Sequence, residues 1–149
     1  METDDFALES FLPYLLNQAA EASSLTFEKV YKAKYGMLRT EWRVLFHLGL
    51  YGQLTASEIG ARAKMHKTKI SRAVHRLTER RMVTRDRDTG DRRLEHLTLT
   101  KQGRAAYDHL RETAQRYEAT LVEDLSDEEV RVLRKALIKL GEDRAKRFT

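Results

Sequence analysis

The sequence predicts a mostly α-helical fold: a winged helix-turn-helix with a two-stranded wing, embedded in a helical homodimer. Two observations in residues 53–100 predict the winged module. Two short helical patterns meet at a tight connection, and a charged hairpin pattern follows them. The third observation is charge: residues 64–93 hold eleven Lys or Arg and four acidic residues, a net +7, whereas the other 119 residues sum to −2. Such clustering indicates a polyanion-binding surface.

The composition sets the class of protein and its expected organisation. One Pro and seven Gly in 149 residues suit long helices with few loops. We expect an N-terminal dimerisation helix in 1–36, a winged domain in 37–100 and C-terminal dimerisation helices in 101–149. The absence of Cys excludes disulfides and thiol switches. No run approaches the ~18 apolar residues of a membrane span, and the acidic residues 1–5 differ from a basic signal peptide, so we expect a cytoplasmic protein with no membrane partner.

The first two helices are predicted from apolar stripes and their end signals. A stripe over 10–34 predicts the first helix, which should begin near Ser10–Leu12 because Pro13 is tolerated only in a first turn. Gly36 is the expected stop. Thr40 is predicted to cap the N-terminus of the second helix, and Gly52 to end it.

The remaining elements follow from capping residues and alternation. The capping box Thr55-Ala56-Ser57-Glu58 opens the third helix, placed over 54–63, and the fourth covers 67–81. A hairpin over 83–99 follows, with Gly90 expected to turn with positive φ. Thr100 is expected to cap the fifth helix, and a second capping box begins the last helix at Ser126. The apolar stripes of 10–34 and 104–140 lie outside the winged module, so we expect them to be buried against each other and against a second copy.

The fourth helix is the predicted recognition helix. At ~100° per residue, four apolar side chains fall in one arc, the core face: Ile70, Ala73, Val74 and Leu77. Hydroxyls and cations elsewhere on the helix can reach base edges and phosphates. A solvated amphipathic helix would explain this helix equally well on its own, but the adjoining turn and hairpin favour DNA. The predicted DNA contacts are Lys67, Thr68, Lys69, Ser71, Arg72, His75 and Arg76.

The hairpin tip supplies the second set of predicted DNA contacts, Asp91, Arg92 and Arg93. A protruding Arg can enter a narrow minor groove, where the negative potential is deepest. A nearby Asp can hold the guanidinium in position through a bidentate pair. The alternative is a polar hairpin with incidental charges.

The order and spacing of these motifs resemble the MarR (multiple antibiotic resistance regulator) family of bacterial transcription factors. The resemblance implies a homodimer in which N- and C-terminal helices form the dimer body and two winged domains bind a pseudo-palindrome in double-stranded DNA. It also implies that Asp91 pairs with Arg93 and that this Arg enters the minor groove. His66 and Lys69 depart from the family pattern. The matching stretches are residues 38–45, 54–59, 67–77, 88–93 and 97–103.

The resemblance also implies an effector pocket near the second helix, between the dimer body and the winged domain. The candidate residues are Trp42, Arg43, Phe46 and His47, although Trp42 and Phe46 are more often plain core. An aromatic acid is the effector class that the resemblance favours, since Arg43 or His47 could meet its carboxylate.

The function expected from the sequence is transcriptional repression relieved by a small molecule. No two of the five His have helical i, i+3 or i+4 spacing, and no nucleophile or acid–base set is evident, so we expect no metal, no cofactor and no enzymatic activity. The alternative is an architectural, weakly specific DNA-binding protein without an effector.

Overall fold

The computed structural model describes residues 5–142. Residues 1–4 of the acidic N-terminus and residues 143–149 of the expected C-terminal dimerisation segment lie outside it. The chain forms two compact units, Met1–Thr113 and Ala114–Thr149, and the boundary falls within α5. Within residues 5–142 no helix is both long and apolar enough to cross a membrane. The elements in chain order are a 3₁₀ turn Leu8–Ser10, α1 Leu12–Tyr35, α2 Arg39–Tyr51, α3 Ala56–Ala63, α4 Lys67–Glu79, β1 Val83–Arg87, β2 Glu95–Leu99, α5 Lys101–Leu121 and α6 Asp127–Leu140.

The winged helix-turn-helix predicted from the sequence is confirmed. Helices α2, α3 and α4 pack around a core that includes Leu45, Ile59 and Leu77, each fully buried. Strands β1 and β2 pair antiparallel, with Val83 opposite Leu99 at the base of the hairpin and Arg87 opposite Glu95 near its tip.

Most of the predicted helix ends are where the local signals placed them. Helix α1 starts at Leu12 with Pro13 in its first turn and ends at Gly36, which has φ +65°. The α3 capping box is formed: the Thr55 hydroxyl accepts the Glu58 N–H at 3.2 Å, and the Glu58 carboxylate accepts the Thr55 N–H at 3.1 Å. Hydrogen bonding of the carboxylate to the Thr55 backbone N–H, and secondarily to the Thr55 side chain, holds the pKa of Glu58 below its ordinary value. The hydroxyl of Thr100 likewise accepts the Gly103 N–H at 3.0 Å, as expected of a cap.

Two predicted helix starts were wrong, one because a neighbouring carboxylate caps the helix and the other because of a partner distant in sequence. Thr40 does not cap α2; the N-cap is Leu38, two residues earlier, so the helix begins at Arg39, and the Glu41 carboxylate accepts the Leu38 N–H at 3.1 Å. Helix α3 begins at Ala56, since Leu54 instead forms a short β-bridge with Leu97, with N–O distances of 3.2 and 2.8 Å.

Two turn predictions were also wrong. Helix α4 ends at Glu79 and not at residue 81, because the chain turns at Arg81, which has φ +61°. The backbone φ angle of Gly90 is not positive; the glycines with positive φ among residues 5–142 are Gly36 and Gly52. The tip is shaped instead by the Asp88 carboxylate, whose Oδ2 accepts the N–H groups of Gly90 and Asp91 at 2.9 and 2.7 Å.

The long helices leave apolar side chains exposed in this single chain. In the first unit about half of these residues lie around the start of α1 and others lie on α2 and the wing, and in the second unit they lie mainly on α6. The second unit is held together in part by an ion pair between Arg134 and Glu118. The exposed large apolar residues are Phe6, Leu8, Phe11, Leu12, Tyr14, Leu15, Leu25, Leu38, Leu50, Tyr51 and Leu94 among those described in the first unit, and Leu121, Leu125, Val132, Leu133, Leu137, Ile138 and Leu140 among those described in the second.

Candidate nucleic-acid interface

Helix α4 presents its polar residues on one exposed face. The ring Nδ1 of its N-cap residue His66 accepts the Thr68 N–H at 3.3 Å, so His66 starts the helix in the same manner as a capping carboxylate. The four apolar residues of the predicted core face are at most 3% exposed. All seven predicted contact residues are exposed, which leaves their side chains accessible to a polyanion: Lys67, Thr68, Lys69, Ser71, Arg72, His75 and Arg76.

Charge along α4 is uneven. The His75 Nε2 lies 3.1 Å from the Glu79 carboxylate, one turn further on, and both side chains are largely exposed. In the N-terminal part of the exposed face all the charged side chains are cations: Lys67, Lys69 and Arg72. On this face the cations that have no neighbouring acid on α4 are therefore concentrated toward the N-terminal end, the end that enters the major groove in helix-turn-helix proteins.

The wing tip holds Arg93 in a defined but accessible position. Asp91 Oδ1 accepts the backbone N–H of Arg93 at 3.0 Å and its Nε–H at 3.1 Å, while Asp91 Oδ2 accepts Nη2–H at 3.2 Å. The guanidinium beside it lowers the pKa of Asp91. The Arg93 side chain is nevertheless 91% exposed. The bidentate pair expected from the sequence is thus formed without covering the guanidinium.

A cleft of about 380 Å³ lies between α4 and the wing. Five cations line it, against a single carboxylate, Glu95, which pairs with Arg85 at 2.9 Å. Three hydroxyl-bearing residues, Thr55, Ser57 and Ser71, also line it. We call this feature the cationic cleft; its cations are Lys67, Arg85, Arg87, Arg92 and Arg93.

Arg85 and Arg87 are functional candidates that the reading of the sequence missed. They follow the buried Val83 at every second position of β1, and side chains at every second position of a strand lie on the same face. That they line a cleft together with α4 depends on how the hairpin folds back, which the local pattern does not contain. Their guanidinium groups can bind phosphate bidentately.

The four effector candidates on α2 are half-buried, and each already has an internal contact. The Trp42 ring packs against Phe27 and Phe46 at centroid distances of 5.5 and 4.7 Å. Arg43 donates to the Ala63 carbonyl at the end of α3. The Nδ1–H of His47 donates to the Arg43 carbonyl at 2.6 Å. These contacts favour a packing role, and a ligand role for the four residues stays a prediction.

Within residues 5–142 no group of three or more His or acidic residues could hold a metal ion.

Comparisons by sequence find similarity to transcriptional regulators. Residues 35–94, which include α2 to α4 and most of the wing, match the MarR family. The chain is 26% identical over 118 residues to YwoH, an uncharacterized HTH-type transcriptional regulator of Bacillus subtilis. That match covers 78% of this chain and 85% of YwoH.

Solved structures show the same fold at low identity. A mutant MarR from E. coli complexed with operator DNA superposes with a TM-score of 0.82 at 20% identity, covering 93% of this chain and 99% of that one. BpsR from Bordetella bronchiseptica, whose DNA binding is regulated by 6-hydroxynicotinic acid, superposes with a TM-score of 0.83 at 17% identity, with coverage of 93% and 99%.

Proposed function

Because the chain belongs to the MarR family of transcriptional regulators, we propose that it is a homodimeric repressor that leaves its operator when a small organic acid binds. The protein is a DNA-binding regulator, and the members of its family are not enzymes. The observation that carries the DNA-binding part of the proposal is the exposed polar face of α4 beside a cationic cleft whose wing side holds an oriented Arg.

The geometry suggests that different residues contact the bases, the phosphates and the minor groove of DNA. The exposed side chains of Arg72, Ser71 and Thr68 suit base edges in the major groove. Lys67, Arg85 and Arg87 line the cleft and suit the phosphate backbone. Arg93, held by Asp91, suits the minor groove beside the half-site.

Selection of bound sequences from a random pool of duplex DNA tests operator specificity. We expect a pseudo-palindromic consensus and an affinity about 10³-fold or more above that for random DNA. An architectural protein would show a ratio near one. Repeating the selection with Arg72→Ala should relax the consensus, whereas Lys67→Ala should weaken all sequences about equally. An unaltered consensus with Arg72→Ala would mean that this Arg does not contact a base.

The wing contact predicts a specific loss of affinity. Arg93→Ala should weaken operator binding by about 1–3 kcal/mol, because it removes the cation proposed to enter the minor groove. Asp91→Ala should cost less, since Asp91 only orients the guanidinium. Titration of each variant on the selected operator measures this. Arg131→Ala is the control: Arg131 is also exposed and paired with a carboxylate, that of Glu128, but it lies on α6. Equal affinities for Arg93→Ala and wild type would reject the wing assignment.

The exposed apolar residues predict a dimer in the absence of DNA. Side chains such as Leu12 and Ile138, 62% and 66% exposed, lie on helices assigned to the dimer body. Monomeric proteins rarely leave so many large apolar side chains in water. Two-fold symmetry then predicts half-sites ~10 bp apart, centre to centre. Sedimentation at micromolar concentration should give the dimer mass, and a stable monomer would contradict the proposed assembly.

An aromatic acid is the proposed release signal. The aromatic cluster around Trp42 and Phe46 offers an apolar surface, and Arg43 and His47 stand on the same helix. The effector named for BpsR is itself an aromatic acid. A 100-fold change in DNA affinity needs only ~2.7 kcal/mol of coupling. Thermal stabilisation by aromatic acids, followed by loss of operator binding, tests the proposal; release by zinc, copper or peroxide alone would contradict it.

A further inference from the structure

We propose that His96 is a positioning residue of the wing, which acts through Asp88 to hold the tip in the conformation from which Asp91 presents Arg93. This inference rests on the proposed entry of Arg93 into the minor groove. It assigns a DNA-binding role to a side chain that has no place in either predicted set of DNA contacts.

The first link is the hydrogen bond between strand β2 and the start of the tip. His96 lies opposite Asp86 in the strand register, and its ring reaches diagonally to Asp88, just beyond the end of β1. Its Nε2 is 2.8 Å from Asp88 Oδ1. A carboxylate can only accept, so Nε2 carries the proton. This hydrogen bond is the first cause of the lowered pKa of Asp88.

The second link runs from Asp88 into the tip. While Oδ1 is held by His96, Oδ2 accepts the N–H groups of Gly90 and Asp91 at 2.9 and 2.7 Å. Backbone bonds close the same loop, from the Asp88 N–H to the Leu94 carbonyl at 2.9 Å and from the Leu94 N–H to the Asp91 carbonyl at 3.0 Å. One carboxylate therefore fastens the backbone of the tip to β2.

The third link is the Asp91–Arg93 pair. The backbone N–H of Asp91 is fixed by Asp88, and the carboxylate of the same residue binds Arg93 at three donors. The direction in which Arg93 projects therefore depends on the Asp88 carboxylate, and the Asp88 carboxylate depends on His96. Since ordering a long side chain in advance lowers the entropy cost of binding, removing His96 should weaken operator binding about three- to tenfold.

The hydrogen bond between His96 and Asp88 should contribute little to the stability of the fold, so its effect on DNA binding can be measured separately. The His96 and Asp88 side chains are 30% and 32% exposed, and partly exposed pairs contribute little to stability. Loss of the imidazole N–H should therefore change DNA affinity much more than thermal stability.

The experiment compares two replacements of similar size, His96→Gln, which can keep an N–H donor near the position of Nε2, and His96→Leu, which cannot. We expect His96→Gln to bind the selected operator nearly as wild type and His96→Leu to bind it about three- to tenfold more weakly. Both variants are combined with Arg93→Ala. In that background the difference between Gln and Leu should vanish, because there is no guanidinium left to position.

Each other outcome overturns the proposal in a recognisable way. If His96→Leu binds as wild type while Arg93→Ala is weakened, His96 does not position the wing and the proposed role of Arg93 stands. If His96→Leu weakens binding equally with and without Arg93, His96 acts on DNA by another route. If Arg93→Ala itself binds as wild type, the wing assignment fails and the inference fails with it. Weak binding by His96→Gln equal to that by His96→Leu would show that the donor is irrelevant.

Discussion

Replacing Gly103 by alanine should lower the free energy of unfolding by about 3 kcal/mol or more. A Cβ at this position would lie 2.1 Å from the carbonyl oxygen of Met82 and 3.0 Å from its carbonyl carbon. The obstacle is backbone, so no change of rotamer relieves it, and one of the two segments must move. Alanine gains about 1 kcal/mol over glycine in a helix, which is too little to offset the clash.

Denaturant unfolding of the two proteins measures this effect. Gly60→Ala is a matched control, since Gly60 also lies inside a helix but its Cβ would meet the Ile70 Cδ1 atom at 3.0 Å and the Met65 carbonyl oxygen at 3.3 Å, distances that shifts of a few tenths of an ångström relieve. We expect Gly60→Ala to remain within about 1 kcal/mol of wild type. If Gly103→Ala is as stable as the control, α5 does not approach Met82 as closely as the structure has it.

The position of Gly103 explains part of the stretch 97–103, which includes the end of β2 and the start of α5 and resembles the family pattern. The Thr100 hydroxyl accepts the Gly103 N–H and donates to the Arg81 carbonyl at 2.7 Å, and the Thr100 N–H donates to the Met82 carbonyl at 3.0 Å. The first turn of α5 thus docks on the turn between α4 and β1. Threonine supplies the cap and the cross-link, and glycine allows the close approach.

Local rules predicted those features whose causes lie within a few residues. The capping box at Thr55, the Pro in the first turn of α1 and the left-handed Gly36 each depend on neighbouring backbone groups only. The buried face of α4 followed from periodicity, since an apolar arc of this width needs a core on one side. The pairing of Asp91 with Arg93 was implied by the family resemblance, and local chemistry agrees with it because the two residues are only two positions apart.

Features that depend on partners distant in sequence were missed. The first partner of Glu41, the Leu38 N–H, is local, but its second partner, Arg80, is 39 residues away and could not be predicted from the neighbouring residues. Gly90 was expected to shape the wing tip, but the Asp88 carboxylate two residues away does so, and only its hydrogen bond with His96 comes from the other strand. Arg85 and Arg87 could be placed on one face of β1, but their approach to α4 is a tertiary property.

Replacing Arg80 by methionine should lower the free energy of unfolding by about 3 kcal/mol, because it leaves a buried carboxylate without its cation. Glu41 is fully buried, and its Oε1 accepts from Arg80 Nη1 at 2.7 Å. Arg80 Nη2 also donates to the Gly36 carbonyl at 2.8 Å. We place the loss at the lower end of the range for buried pairs because the Arg80 side chain is 32% exposed.

The interaction joins the ends of three helices. Arg80 follows the last residue of α4, Gly36 follows the last residue of α1, and Glu41 lies in the first turn of α2. A cation at the C-terminal carbonyls of α1 and a carboxylate at the N-terminus of α2 also agree with the two helix dipoles. The recognition helix is thereby tied to the helix assigned to dimerisation, so the loss of Arg80 should affect the placement of α4 as well as stability.

A double-mutant cycle separates the ion pair from the loss of a side chain. Glu41→Gln keeps an oxygen that can accept the Leu38 N–H, so the double variant Glu41→Gln/Arg80→Met buries no unpaired charge and should be more stable than Arg80→Met alone. Arg76→Met is the control for removing a cation from α4, since Arg76 is exposed one turn earlier. It should weaken DNA binding while leaving stability within about 0.5 kcal/mol of wild type. If Arg80→Met is no less stable than Arg76→Met, or the double variant is no more stable than Arg80→Met, the Glu41–Arg80 pair does not connect these helices energetically.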